Sequence, residues 1–405
     1  MMIIEGKYNK AIIYGDIVDD NAKEQIKEFC NQKSSIGRKI RIMPDVHAGK
    51  GCVIGFTSDI GDIVIPSIVG VDIGCGMLTV SLGNIEIDFE KLDDIIHKYV
   101  PSGTSVHEGR LVRFPKLQNL KCYRNLRDTK RLERSIGTLG GGNHFIEIDE
   151  DDENNKYLVI HTGSRNLGHQ VAEYYINMAY DIMSGKDKIF EEQKRIIKEY
   201  KATGRKSEIQ KAIVELKKSY LAKEIDIPKE LCYLYGEYKE MYINDMTICQ
   251  EFANINRIKI ADIILEKLFD KNINDFEHFE TIHNYIDMKT NIVRKGAVSA
   301  QKGEKLLIPI NMRDGSLICI GKGNSEWNYS APHGAGRLFS RGVAKEKFNI
   351  EEFKNSMKGI YSTSINESTL DESPMAYKNA DEIIKNIDST ADIVKIIKPL
   401  YNYKA

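Results

Sequence analysis

The chain has 405 residues, 41% of them hydrophobic and 29% charged, with a formal net charge of −1. That balance excludes a disordered chain and does not announce a polyanion binder, and the length suffices for a large core without disulfide or metal staples. Seven dispersed cysteines without a CxxC pair argue against a disulfide framework or a structural zinc site and for a reducing compartment, so a cytoplasmic protein is expected. The N-terminal apolar run is too short for a signal peptide, no run reaches membrane-spanning length, and no membrane partner is expected.

In chain order, the first third is strand-rich: 39–46 (KIRIMPDV), 52–60 and 62–82 are apolar and β-branched, broken by Gly and Pro. From about 167 to 270 the pattern is helical. Ile209, Ile213, Leu216 and Tyr220 share a helix face, and Gly204 separates two charged helices. Within it, 184–224 carries twelve Lys/Arg against seven Asp/Glu, which reads as a solvated helical face or, more sharply, as an RNA backbone contact. Strands return at 291–300, 305–310 and 316–321. The last fifty residues read as helical, with Pro399 stopping the final helix. Strands at both ends with helices between predict one α+β domain over 1–405, its mixed sheets completed by distant segments and the 167–270 region a helical excursion.

Five of the nine histidines (His47, His144, His161, His283 and His333) sit beside Gly, Asn, Asp or small residues in short strand–loop contexts. In 69–77 (VGVDIGCGM), Asp72 and Cys75 lie three apart between glycines. A carboxylate and a thiolate so close suit one divalent metal, or a bridging thiolate suits two; a buried Cys in a glycine turn is the plain alternative. In 137–147 (GTLGGGNHFIE), three glycines precede Asn143 and His144, a backbone nest for phosphate without the Walker pattern. In 158–165 (LVIHTGSR), a buried strand ends in His161, and Arg165 can grip a phosphate. ETIHNYID repeats the His/Asn theme at His283 and Asn284. Taken singly, each histidine reads as structural. Together with Asp72 and Cys75 they suit Mn, Fe or Zn. In 330–341 (SAPHGAGRLFSR), His333 has no Asp or Cys near it in sequence; it reads as a nucleophile that forms a phosphorus–nitrogen bond, with Gly334, Ala335 and Gly336 letting a nucleotide lie against the backbone.

These segments closely resemble the RtcB family of GTP-dependent RNA ligases. The matches are DVHAGKG (45–51), VDIGCG (71–76), GTLGGGNHF (137–145), HTGSR (161–165), HNY (283–285), RKGAVSA (294–300), HGAGR (333–337) and PMAYK (374–378), in the family's order. The resemblance implies a single compact domain around a central cleft that holds two Mn2+ ions. Cys75 would be shared between them, with Asp72 and His144 on one ion and His161 and His283 on the other. It implies that His333 attacks the α-phosphate of GTP to give a histidine–GMP intermediate, which activates an RNA 3′-phosphate, itself opened from a 2′,3′-cyclic phosphate, for attack by a 5′-hydroxyl. Glu147, Ser316, Tyr377 and Lys404 match the guanine-contacting positions. Asn143 and Asn284 are expected on phosphate oxygens, Gly334, Ala335 and Gly336 along the ribose, and Arg165 on the RNA phosphate. Two stretches depart from the pattern. Asn311 and Arg313 stand in a family Pro-Gly-Ser-Met-Gly stretch, Asn311 replacing the serine and Arg313 adding charge near the nucleotide. Ala331-Pro332 stands where many members have Cys or Ser before the histidine. A metal-dependent phosphodiesterase or phosphatase (a hydrolase) without covalent histidine and a non-catalytic RNA-end sensor are the competing readings. The choice between tRNA splicing and RNA repair, and the need for an activator such as archease, stay open.

Overall fold

The computed structural model describes residues 1–219 and 226–404. Two large sheets organise it. One runs in the order Met2–Glu5, Lys10–Ile13, Ile40–His47, Ile54–Asp59, Ile292–Lys295, Asn284–Asp287. The other runs His278–Ile282, Gly76–Gly83, Lys156–Thr162, Phe145–Glu150, Ala391–Lys404, Gly315–Gly321, Lys305–Asn311. Every pairing is antiparallel except that of Lys10–Ile13 with Ile40–His47. As expected of an α+β chain, segments far apart in sequence complete each sheet.

The strands Gly76–Gly83, Phe145–Glu150 and Lys156–Thr162 of the seven-stranded sheet are buried on both faces, which is why they read as continuous apolar runs rather than as alternating ones. Leu78, Val80, Ile146, Ile148, Leu158 and Ile160 pack against Ile260, Ile264 and Leu265 of the long helix Gly236–Phe269. The opposite face contributes Met77, Phe145, Tyr157 and Val159 to a cluster with Leu307, Ile318 and Ile397. The helical excursion comprises Arg165–Met183, Lys186–Ala202, Ile209–Ser219 and Gly236–Phe269, with Gly204 in the left-handed region (φ +74) between the second and third. Ile209, Ile213 and Leu216 do line one half-buried face; Tyr220 lies outside the described residues.

The end of the chain departs from expectation. Ala380–Ile387 is a helix, but Ala391–Lys404 is an internal strand of the larger sheet. The run ADIVKII is β-branched and alternates exposed and covered positions along the outer sheet face. Pro399 does not stop a helix. It sits opposite Asp149 at a register shift, where the ladder is already interrupted and its missing N–H costs little. Residues 62–82, expected as strand, divide into Ile63–Val64, the single turn Pro66–Val69 opened by proline, and Gly76–Gly83.

Register decides where the chemistry gathers. Gly76 pairs with Thr162 and with Ile282, and Phe145 pairs with His161. The starts of two strands thus lie beside the ends of two others, and Cys75, His144, His161 and His283 arrive at one edge.

Because Ile397 is fully buried and Ile396 is 49% exposed, Ile397→Ala is expected to cost about 3 kcal/mol in urea unfolding and Ile396→Ala less than about 1 kcal/mol. Equal costs would contradict the strand.

Candidate functional site

Two donor groups, each within 4.8 Å, share one thiol: Asp72, Cys75 and His144, and Cys75, His161 and His283. Cys75 Sγ lies 3.5 Å from His144 Nε2 and 3.3 Å from His161 Nε2. His144 Nε2 is 3.0 Å from Asp72 Oδ2, and His161 Nε2 is 3.4 Å from His283 Nε2. Backbone carbonyls orient two of the rings. His144 Nδ1 meets Leu139 O at 2.9 Å and His161 Nδ1 meets Asn143 O at 3.1 Å. With Nδ1–H donating there, each Nε2 lone pair faces the thiol, the arrangement typical of metal-binding imidazoles. His283 Nδ1 is buried without a partner among the described residues. Gly163, after His161, is required by its neighbour: a Cβ there would stand 2.2 Å from Asp72 Oδ1.

The electrostatics suit a cation. Burial works to raise the Asp72 carboxyl, but His144, the Cys75 hydrogen bond and the Arg165 guanidinium hold it at about 2. Burial and the Asp72 carboxylate push the Cys75 thiol well up. Burial and neighbouring imidazoles push His161 and His283 well down, so both rings are neutral lone-pair donors. The donor set of thiol, carboxylate and imidazoles therefore fits divalent transition ions, which displace the thiol proton on binding.

The cluster floors a cleft of about 680 Å³, a volume of the size small-molecule ligands occupy. Asp72, Cys75, Asn143, Glu147, His161, His283, Asn284, Asn311, His333, Gly334, Ala335, Gly336, Tyr377 and Lys404 line it, as the sequence reading expects of a common site. His333 stacks obliquely near His283, with ring centroids 4.9 Å apart. Its Nδ1 is 2.6 Å from Asp45 Oδ2, which also accepts the His333 backbone N–H at 3.0 Å. Asp45 is fully buried on strand Ile40–His47. Gly336 allows this union, because at φ +77 a Cβ would lie 2.2 Å from Asp45 O.

At the far end of the cleft, Asn402 donates a hydrogen bond to Glu147. Burial raises the Glu147 carboxyl to about 7 against the opposing Lys404 and Asn402. Asp149, on the same strand face, has no partner for either oxygen among the described residues, and burial and Glu147 push its carboxyl well up. Lys404 Nζ pairs with Glu372 Oε2 at 2.7 Å, and Tyr377 OH donates to the same carboxylate. Burial would raise Glu372, yet Lys404, Arg341 and Arg337 hold it at about 2.

Other expected residues lie elsewhere. His144 belongs to the donor cluster but is not among the cleft-lining residues, nor are Ser316 and Arg165. Ser316 is fully buried with no hydroxyl partner among the described residues. Arg165 bonds Thr138 Oγ1 at 3.3 Å and Gly103 O at 3.2 Å. Arg313 turns to Asp314 at 2.8 Å and is not among the cleft-lining residues, although Asn311 and Met312 beside it are. Asp45 and Glu372 escaped the sequence reading, as did two buried lysines. Lys378 Nζ donates to Ile17 O, Pro44 O and Val46 O, and Lys295 Nζ to Lys50 O, Cys52 O and Ser67 O. Three of them lie inside the matched motifs (Asp45 in DVHAGKG, the lysines in RKGAVSA and PMAYK), and a search there for an acid to orient His333 would find Asp45.

Comparison with known proteins agrees with this geometry. A family described as tRNA-splicing ligase RtcB matches residues 25–123 and 116–405. The RNA-splicing ligase RtcB of Escherichia coli K12 is 28% identical over 95% of this chain and 93% of its own length. The tRNA-splicing ligases RtcB of Nanoarchaeum equitans (26%; 94% and 92%) and Thermococcus kodakarensis (25%; 89% and 86%) are similar over nearly as much.

Titration of the metal-free chain with Co2+, followed by its visible and thiolate charge-transfer bands, is expected to fill two sites. His144→Ala and His283→Ala should each lose one, and Cys75→Ala should weaken both. A Cys75→Ala chain that keeps one site at full affinity would contradict a shared sulfur.

Proposed function

Because the chain belongs to the RtcB family of RNA ligases, we propose that it seals RNA through a histidine–GMP intermediate on His333, using GTP and two manganese ions. The observation that carries this reading is His333 poised beside the donor cluster with its Nδ1 on Asp45.

Asp45 accepts a hydrogen bond from Nδ1–H, which leaves the Nε2 lone pair free to attack phosphorus. The same carboxylate stabilises the ring as it becomes cationic. An Nε2–P bond to the α-phosphorus forms and the bond to pyrophosphate breaks. An RNA 3′-phosphate oxygen then attacks that phosphorus, the P–Nε2 bond breaks, and His333 regains its lone pair. The 5′-hydroxyl of the second strand attacks the RNA 3′-phosphorus, its proton passes to solvent, and GMP departs. A 2′,3′-cyclic end enters after water opens it to the 3′-phosphate. Divalent ions held by Asp72, Cys75, His144, His161 and His283 would supply charge neutralisation and polarisation of phosphate. Asn143 and Asn284, at the cleft wall, donate to phosphate oxygens, and the 334–336 turn lies along the ribose. Glu147 as carboxylate accepts from the guanine N1–H and N2–H. Tyr377 and Lys404, organised by Glu372, border the base.

Incubation with GTP and Mn2+ is expected to add one GMP mass to the peptide containing His333. His333→Ala should carry none, and Asp45→Asn should form it at least about 100-fold more slowly, the scale of a lost acid–base partner. Phosphatase activity without any adduct would favour the hydrolase reading instead. Guanine recognition needs Glu147 ionised, and its carboxyl sits at about 7. GTP affinity should therefore fall as pH drops below 7, about tenfold per unit once Glu147 is protonated. In Glu147→Gln this dependence should vanish, and an unchanged profile would remove Glu147 from the base site.

A further inference from the structure

A large excess of positive charge lies outside the helical excursion. Residues 110–134 hold nine Lys or Arg and two Asp or Glu, an excess of seven in a chain whose net charge is −1. Eight of the nine are exposed, Arg134 being half-buried. Arg110 pairs with Glu133 and Lys116 with Glu251. Arg113, Lys121, Arg124, Arg127 and Lys130 form no ion pair among the described residues. By contrast, two arginines of the 184–224 region are neutralised locally, Arg195 by Glu192 and Arg205 by Glu208, and 220–224 lies outside the described residues.

This basic segment is a closed loop anchored beside the cleft. Its ends meet where His107 N donates to Arg134 O at 3.2 Å and Arg134 Nε returns to His107 O at 2.6 Å. Arg131 donates to Thr104 O at 2.6 Å, and the adjoining Gly103 N donates to Gly140 O at 2.8 Å, in the turn that leads to Asn143 and His144. From there the loop runs outward along helix Gly236–Phe269. Gly137 N bonds Asn256, Lys116 pairs with Glu251, and the backbone of Lys121 and Cys122 caps Asp245. The step from Asn256 to Asp245 is roughly 16 Å of helix. The loop then returns past Gln170, which bonds the Arg127 backbone. Cations that form no ion pair among the described residues thus sit on a loop anchored beside the donor cluster, over a span that several nucleotides of single strand cover.

We propose that the 110–134 loop is the track along which an RNA strand lies as its end enters the cleft, its phosphates neutralised by Arg113, Lys121, Arg124, Arg127 and Lys130. The proposal rests on the ligase reading above. Contacts of this kind give affinity without sequence selection and release counterions, so they show in the salt dependence of binding.

The test uses the full chain and a ten-nucleotide RNA bearing a 3′-phosphate, with binding read by fluorescence anisotropy across a salt series. The triple variant Arg113→Glu, Arg124→Glu, Arg127→Glu is expected to lose affinity at least about tenfold at low salt and to flatten the log K against log salt slope by about 2. GMP addition to His333 without RNA should stay unchanged, which reports an intact fold and nucleotide site. A matched reversal of Lys194, Lys198 and Lys201 in helix Lys186–Ala202 should leave RNA binding unaltered. If the triple variant loses GMP addition, the single neutralisations Arg113→Gln and Arg124→Gln decide, each expected to lower the slope by about 0.7. Loop variants within twofold of the parent with the same slope, or a loss confined to the Lys194 set, would overturn the track alone. A parent chain that binds no RNA would overturn the track and the ligase reading together.

Discussion

One sulfur atom carries the constraint on which the site depends. Cys75 Sγ must lie within reach of His144 and His161 at once, with Asp72 and His283 completing the two groups. Gathering a thiol, a carboxylate and three imidazoles in a buried place costs desolvation that hydrogen bonds among them only partly offset, and the orphaned Nδ1 of His283 records the shortfall. Cations bound at the centre would offset that cost. The fold meets the geometric demand through antiparallel register: strands from four regions of the chain bring their ends to one edge, and the apolar sheet behind them, sealed by helix Gly236–Phe269, holds those ends fixed.

The second sheet supplies the other half of the chemistry. Asp45 comes from its strand Ile40–His47 and meets His333, which follows Ser330–Pro332, so this imidazole is oriented by an element that holds none of the donor cluster. Lys378 and Lys295 each satisfy three carbonyls around the 44–52 loop, in the manner of a fixed bolt rather than a mobile cation. Burial lowers the Lys295 ammonium to about 8, a cost that its three acceptors and the packed surroundings sustain. The cleft is therefore a junction between two rigid sheets, with the donor cluster on one and the Asp45 partner of His333 on the other.

Much of this was legible in the sequence, because clustered Gly, His, Asn and Cys are unusual in an otherwise ordinary composition. Asp72, Cys75, His144, His161 and His283 stand out by residue type and neighbours alone, and the structure gathers them. Asp45 does not stand out: it reads as one polar residue in an apolar strand, and its partner is 288 positions away. Lys295, Lys378 and Glu372 are hidden for a similar reason, since a buried charge has no local signature until its acceptors fold around it. The last strand was misread because an apolar β-branched run with a proline is compatible with a helix end when its neighbours, Phe145–Glu150 and Gly315–Gly321, are distant in sequence. The charge of 110–134 is broken up by Phe114, Leu117, Leu120 and Leu132, which face the core, whereas the longer 184–224 run is continuous and weaker.

X-ray absorption at the manganese edge of the loaded chain tests the shared-sulfur site most directly. The arrangement of donors predicts a sulfur scatterer in the ligand shell together with a metal–metal vector of roughly 3.5–4 Å. A shell of nitrogen and oxygen alone, with no metal–metal vector at full occupancy, would contradict it.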